Sequence, residues 1–236
     1  MRYLSLIFCI YFLTASICEE TYTKFDWKGL KGLIFKKTNN IIDTRESAIS
    51  SQGYLPNSLL IPLSMDYSKW ITTVVRRGSN IIIISDKTNY KKAIQKAKEA
   101  GYKIYGYAIY EEIAKQASSL FQKAEYKENT KENVEKLVKE NKLILDLREV
   151  TEYKETGIIE KSKLMPLSTL TSKKKKIPKE GDVYLLCKTG GRALMAMSYL
   201  KKEGFRNKLY VLKGGINKTI EEGFSLVKYT DAKIEK

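Results

Sequence analysis

A thiol, two glycines and an arginine fall within six residues at Cys187-Lys188-Thr189-Gly190-Gly191-Arg192. The preceding run, Val183-Tyr184-Leu185-Leu186, reads as a buried parallel strand, and Ala193 to Leu200 reads as a helix. The cysteine therefore stands at a strand-to-helix turn. Gly190 and Gly191 let the amides of Lys188 through Arg192 curl inward as an anion cradle, and the positive end of the helix favours a thiolate over a thiol. Such a cysteine is nucleophilic, whereas one that fills space at a strand end is inert. Lys188 and Arg192 would add positive charge for an anionic substrate, and Thr189 a hydroxyl.

The elements that must position this loop recur along the chain. In the C-terminal half, Leu143–Asp146, Lys163–Met165, Val183–Leu186 and Lys208–Leu212 read as strands, and Ala193–Lys202 as a helix ended by Gly204. In the N-terminal half, Ile41-Ile42, Leu59-Leu60-Ile61, Ile81–Ile84 and Lys103–Tyr107 read as strands, and Lys91–Ala100 as a helix ended by Gly101. This alternation implies βαβ units, hence an α/β fold of parallel sheets with helices on both faces. The halves also echo each other. Ile41-Ile42-Asp43-Thr44-Arg45-Glu46 parallels Ile144-Leu145-Asp146-Leu147-Arg148-Glu149, and nine residues separate Gly53 from Pro62 and Gly157 from Pro166 alike. The offset of about 103 residues is too long for a solenoid and points to duplicated domains.

Several of these residues match one family. The loop from Cys187 to Arg192, Asp146-Leu147-Arg148, Glu152-Tyr153, Gly157-Ile158-Ile159, Pro166 and Gly214-Gly215-Ile216 together resemble the landmarks of rhodanese-family sulfurtransferases. One departure stands out. The histidine that the family carries after the first glycine is Ile158 here, and the chain has no histidine at all. The resemblance implies two rhodanese-like domains, each a small doubly wound sheet of five parallel strands. Residues 24–118 would form a non-catalytic domain, 119–130 a linker and 131–230 the catalytic domain. It also implies double displacement. Cys187 takes sulfane sulfur from thiosulfate or a persulfide and passes it to a thiol or cyanide acceptor, while loop amides hold the persulfide. Asp146 and Arg148 would brace the scaffold through a salt bridge. In the N-terminal half the cysteine's counterpart is Ser85, followed by Asp86 and no Gly-Gly-Arg, so thiol chemistry is not expected there.

Two rivals share the turn. A Cys-loop phosphatase places five residues between Cys and Arg to surround a tetrahedral oxyanion, and this loop has four. A non-enzymatic binding or redox-sensing module would leave the thiol exposed to oxidation or capping.

Composition bounds the setting. Arg2 followed by an apolar stretch up to Ile17 reads as a cleaved signal peptide over residues 1–18, with a lipid anchor at Cys18 as the lesser alternative, so a secreted or periplasmic protein is expected. Cleavage would leave Cys187 as the lone thiol, free of any internal disulfide. The formal net charge is +16 and only seven of the 43 basic residues are arginine. That lysine-rich balance, without interleaved aromatic and Arg residues, argues against a nucleic-acid partner and describes a solvated surface whose field gathers small anions. No metal or cofactor is expected, and no stable membrane insertion after cleavage.

Overall fold

In a computed structural model, residues 22–36 and 38–230 are described, and the expected signal peptide lies outside them. Apolar runs that alternate with amphipathic ones resolve into two all-parallel sheets. The first is built from β1 (Asn40–Asp43), β2 (Ser58–Leu60), β3 (Asn80–Ser85) and β4 (Lys103–Ile109), in the order β2-β1-β3-β4. The second holds β5 (Glu125–Lys127), β6 (Leu143–Asp146), β7 (Lys163–Leu164), β8 (Val183–Leu186) and β9 (Leu209–Leu212). From its β7 edge it runs β7-β6-β8-β9-β5, which is the order of the first sheet with one strand added.

Ten α-helices are present among the described residues. They are α1 (Trp27–Ile34), α2 (Ser47–Ser50), α3 (Tyr67–Val74), α4 (Tyr90–Glu99) and α5 (Tyr110–Ala117), then α6 (Lys131–Lys139), α7 (Val150–Thr156), α8 (Leu167–Lys173), α9 (Gly191–Lys202) and α10 (Gly215–Glu221). Side chains alternate across a strand, so each sheet buries two faces. In β3, Ile82 and Ile84 point outward to Leu30, Ile34, Ile113 and Ala117 of α1 and α5. Ile81 and Ile83 point inward, to a cluster that also holds Trp70 and Ile71 of α3, Leu167 and Leu170 of α8 and the buried face of α9. Beyond the second sheet, Val134, Leu137 and Ile216 cover Ile144, Tyr184 and Leu186. The central layer is thus one hydrophobic core shared by both sheets.

Two expectations need correction. The segment 119–130, expected as a linker, contributes β5, which pairs in parallel with β9 through Tyr126 and Val211. All three β5 side chains are exposed, so it has no apolar alternation to read; its backbone pairing alone makes it a strand. The first sheet has four strands where five were expected. At its β4 edge the Phe25 N–H donates to the Tyr107 carbonyl at 2.7 Å and the Tyr107 N–H to the Thr23 carbonyl at 2.9 Å, a single bridge where the second sheet has β5. Gly106 permits this approach, since a Cβ there would lie 2.5 Å from the Thr23 carbonyl oxygen.

Candidate active site

Strand periodicity aims the cysteine. Val183, Leu185 and Cys187 face the central core, while Tyr184 and Leu186 face the outer helices. Cys187 is 1% exposed. Its carbonyl accepts from the Ile216 N–H at 2.8 Å, and the Lys188 carbonyl from the Asn217 N–H at 3.2 Å, which ties the start of the loop to α10. Gly215, at φ +62°, makes that contact possible, for a Cβ there would stand 2.3 Å from the Cys187 carbonyl oxygen. The loop then turns back through Gly190, whose left-handed φ of +111° suits glycine. Its N–H donates to Cys187 Sγ at 3.1 Å. The N–H groups of Lys188, Thr189, Gly191 and Arg192 donate to no acceptor among the described residues, and α9 starts at Gly191. Lys188 and Thr189 are exposed at the rim.

Arg192 sits in the first turn of α9, where the sequence places it, but its charge is already matched. Its two terminal nitrogens each donate to one Glu152 oxygen at 2.6 Å. Burial pushes the Glu152 carboxyl up, yet the Arg192 hydrogen bonds prevail and hold it below its ordinary 4.5. Lys188, by contrast, forms no ion pair among the described residues. Asp146 and Arg148 are both buried and form a bidentate pair, with Arg148 Nη2 to Asp146 Oδ2 at 2.6 Å. Arg148 also donates to the Gly157 carbonyl at 2.9 Å, and the Tyr153 hydroxyl to the Asp146 carbonyl at 2.8 Å. These partners are all scaffold. Ile158 is buried with Tyr153 and Tyr229, and its N–H and carbonyl pair with Val227, so apolar packing fills the place of the family's histidine.

The N-terminal half repeats the brace without the thiol. Arg45 Nη2 donates to Asp43 Oδ2 at 2.6 Å and to the Gly53 carbonyl at 2.7 Å. Ser85 replaces the cysteine and is wholly buried, its hydroxyl without a hydrogen-bond partner among the described residues. Asp86 Oδ1 accepts from the Thr88 and Asn89 N–H groups at 3.0 and 2.9 Å and from the Thr88 hydroxyl at 2.6 Å. Burial raises the Asp86 carboxyl, and these donors outweigh it and hold it below 3.8. The turn before α4 is therefore occupied by its own carboxylate.

Three residues of the N-terminal half reach the cysteine loop. A Cβ added to Gly191 would lie 3.2 Å from Met65 Sδ and 3.6 Å from the Ser47 hydroxyl, so both side chains pack against the loop at this glycine. The Arg192 guanidinium lies 6.0 Å from the Trp70 ring centre. Sequence reasoning missed all three, as well as the Glu152 clamp; only Glu152 carried a signal, as the acidic landmark before Tyr153.

This fold and loop define a class. Residues 130–222 match the rhodanese-like domain family. A sulfurtransferase of Allochromatium vinosum is 30% identical over 88 residues, which cover 37% of this chain and 80% of that protein. The chain therefore belongs to the rhodanese-like family. Among solved structures, a rhodanese-related protein of Thermoplasma volcanium is 29% identical over 44% of this chain and 99% of its own, with a TM-score of 0.38. A thiosulfate sulfurtransferase of Pseudomonas aeruginosa is 17% identical over 88% of this chain and 44% of its own, also with a TM-score of 0.38.

Proposed function

We propose that the protein is a sulfurtransferase whose C-terminal half carries the reaction on Cys187, paired with a rhodanese-like N-terminal half that carries none. The observation behind this reading is the Gly190 N–H at 3.1 Å from Sγ, beside four further loop amides with no acceptor among the described residues. A donor already at the sulfur, with further unengaged amides in the same loop, suits a persulfide anion, because donors fixed in advance need no reorganisation when charge moves onto that atom.

In the first step the Cys187 thiolate attacks the outer sulfur of thiosulfate. A Cys187–sulfur bond forms, the donor's S–S bond breaks, and its electron pair leaves with sulfite. The cysteine now carries an outer sulfur with a negative charge, held by the loop amides. An acceptor thiolate or cyanide then attacks that sulfur, the S–S bond to Cys187 breaks, and the thiolate returns. A persulfide donor follows the same course with a thiolate as the leaving group. Lys188 stands at the rim to attract the anion, and Thr189 offers a hydroxyl beside it. Asp146 and Arg148 hold the scaffold. In the N-terminal half, the Asp86 carboxylate takes the amides that an anion would need, which supports a non-catalytic role. We further propose that residues 1–18 direct export and are removed.

Incubating the full chain with thiosulfate and cyanide tests the reaction. Thiocyanate and sulfite should form in equal amounts, and thiosulfate alone should leave Cys187 one sulfur atom heavier by mass. Cys187→Ser should do neither. Equal rates in wild type and variant, or an unmodified Cys187, would sink the proposal.

A further inference from the structure

We propose that a cavity at the seam between the two sheets, at the far end of α9 from Cys187, binds a small organic phosphate or similar polyanion. Its volume is about 390 Å³. That is within the range of small-molecule sites, about 300–1,000 Å³. Pro56 and Asn57 before β2, with Gln122 before β5 and Glu125 at its start, form one wall; Lys201 at the end of α9 and residues 205–209 form the other. Helix α9 has 12 residues, so the cavity lies roughly 18 Å from the cysteine loop at 1.5 Å per residue.

Charge selects the ligand class. Lys201, Arg206 and Lys208 line the cavity, and none of them forms an ion pair among the described residues. Against these three cations stand the Glu125 carboxylate and the carbonyl end of α9, the latter equivalent to roughly half a negative charge. The balance is clearly positive, and a ligand with two negative charges would neutralise it. Asn57 and Gln122 add amide groups that can bond the hydroxyls of a sugar.

The basic wall is also held in place. Asn207, between Arg206 and Lys208, is 9% exposed, and its amide nitrogen donates to the Pro178 and Gly181 carbonyls at 3.2 and 2.8 Å. The two flanking cations are exposed but rise from a pinned segment, so little ordering is needed on binding. Because the walls come from both sheets, an occupant would bridge them.

Titration of the purified full chain with ribose 5-phosphate and with inorganic pyrophosphate, read by calorimetry and thermal shift, tests this. One saturable site per chain is expected for ribose 5-phosphate, together with a rise in melting temperature. The double variant Arg206→Ala/Lys208→Ala should weaken binding by about tenfold or more while its own melting temperature stays at the wild-type value, since it removes two charge-assisted bonds to the anion. Cys187→Ser should bind as wild type does. Pyrophosphate binding as tightly as the sugar phosphate would leave the anion site standing and remove the role given to Asn57 and Gln122. The proposal is overturned if neither probe saturates below about 1 mM, if the double variant binds like wild type, or if Cys187→Ser loses the site.

Discussion

Glu152 and Gly215 are the residues through which the cysteine loop depends on its surroundings. Removing the Glu152 carboxylate leaves Arg192 in the first turn of α9 without its bidentate partner. Glu152→Gln should cost about 1.5–3 kcal/mol at neutral pH, the scale of hydrogen bonds to charged groups. The sign with pH follows from the depressed carboxyl. Its stabilisation is complete above the ordinary 4.5 and is lost as pH falls through the lower folded value, so wild type and variant should converge in acid. Melting curves across that range check this, and a gap that is constant with pH would contradict it. Gly215→Ala places a Cβ against the Cys187 carbonyl at a left-handed φ. A loss of about 1–3 kcal/mol from backbone conformation alone is expected, with the contact adding to it. Sulfur transfer should fall along with stability; an alanine variant as active as wild type would show that the loop does not rest on α10. The cysteine and the glycines were legible in the sequence because their types are rare and adjacent. The Glu152–Arg192 clamp was not, because forty residues separate its partners and their pairing depends on how α7 meets α9.

At the scale of elements, what could be read tracked the burial of side chains. The strands of the sheet centres were visible as apolar runs. Edge strand β5 was not, because its side chains are all exposed, and the short helices α2, α7 and α10 offer too few turns for a periodicity. Helix α9 was visible as a helix, but not its degree of burial: Ala193 through Leu200 are all buried, since the second sheet covers one side and β2 of the first sheet another. A helix buried on every side has little amphipathic contrast to display. The turn before α4 gives the prediction at this scale. Asp86→Ala removes the acceptor of two backbone N–H groups, so the loss should match that of a helix N-cap, about 0.5–2 kcal/mol. Sulfur transfer by the remaining folded protein should be unchanged, as the turn lies outside the Cys187 loop. Denaturant unfolding and a rate measurement on one sample check both; a rate that falls with an intact fold would mean that this turn takes part in the reaction.

For the whole molecule, the echo between the halves carries less information than the way the halves meet. Two echoing halves suggest two separate cores, whereas the structure has one central core that both sheets share. A hydrogen bond crosses it. The Leu60 N–H of β2 donates to the Ser198 hydroxyl of α9 at 3.0 Å, between residues 138 positions apart, and the bond is buried. Ser198→Ala strands that N–H, with an expected loss of about 1–3 kcal/mol. Because the core is shared, chemical denaturation should remain a single transition in the variant as in wild type, whether followed by tryptophan fluorescence or by backbone signal. Two separated transitions would show that the halves unfold independently. Nothing in the spacing of apolar residues distinguishes a face that meets a helix of its own half from one that meets the other half, which is why Met65, Ser47 and Trp70 escaped notice.

The deep position of Cys187 gives the molecule an internal clock. A thiol that is 1% exposed reacts with a bulky alkylating reagent when the structure opens around it. The labelling rate of the peptide containing Cys187 therefore counts those openings. If the rate tracks global unfolding, the loop is rigid around its thiol; if it runs far ahead, the seam between the halves breathes on its own.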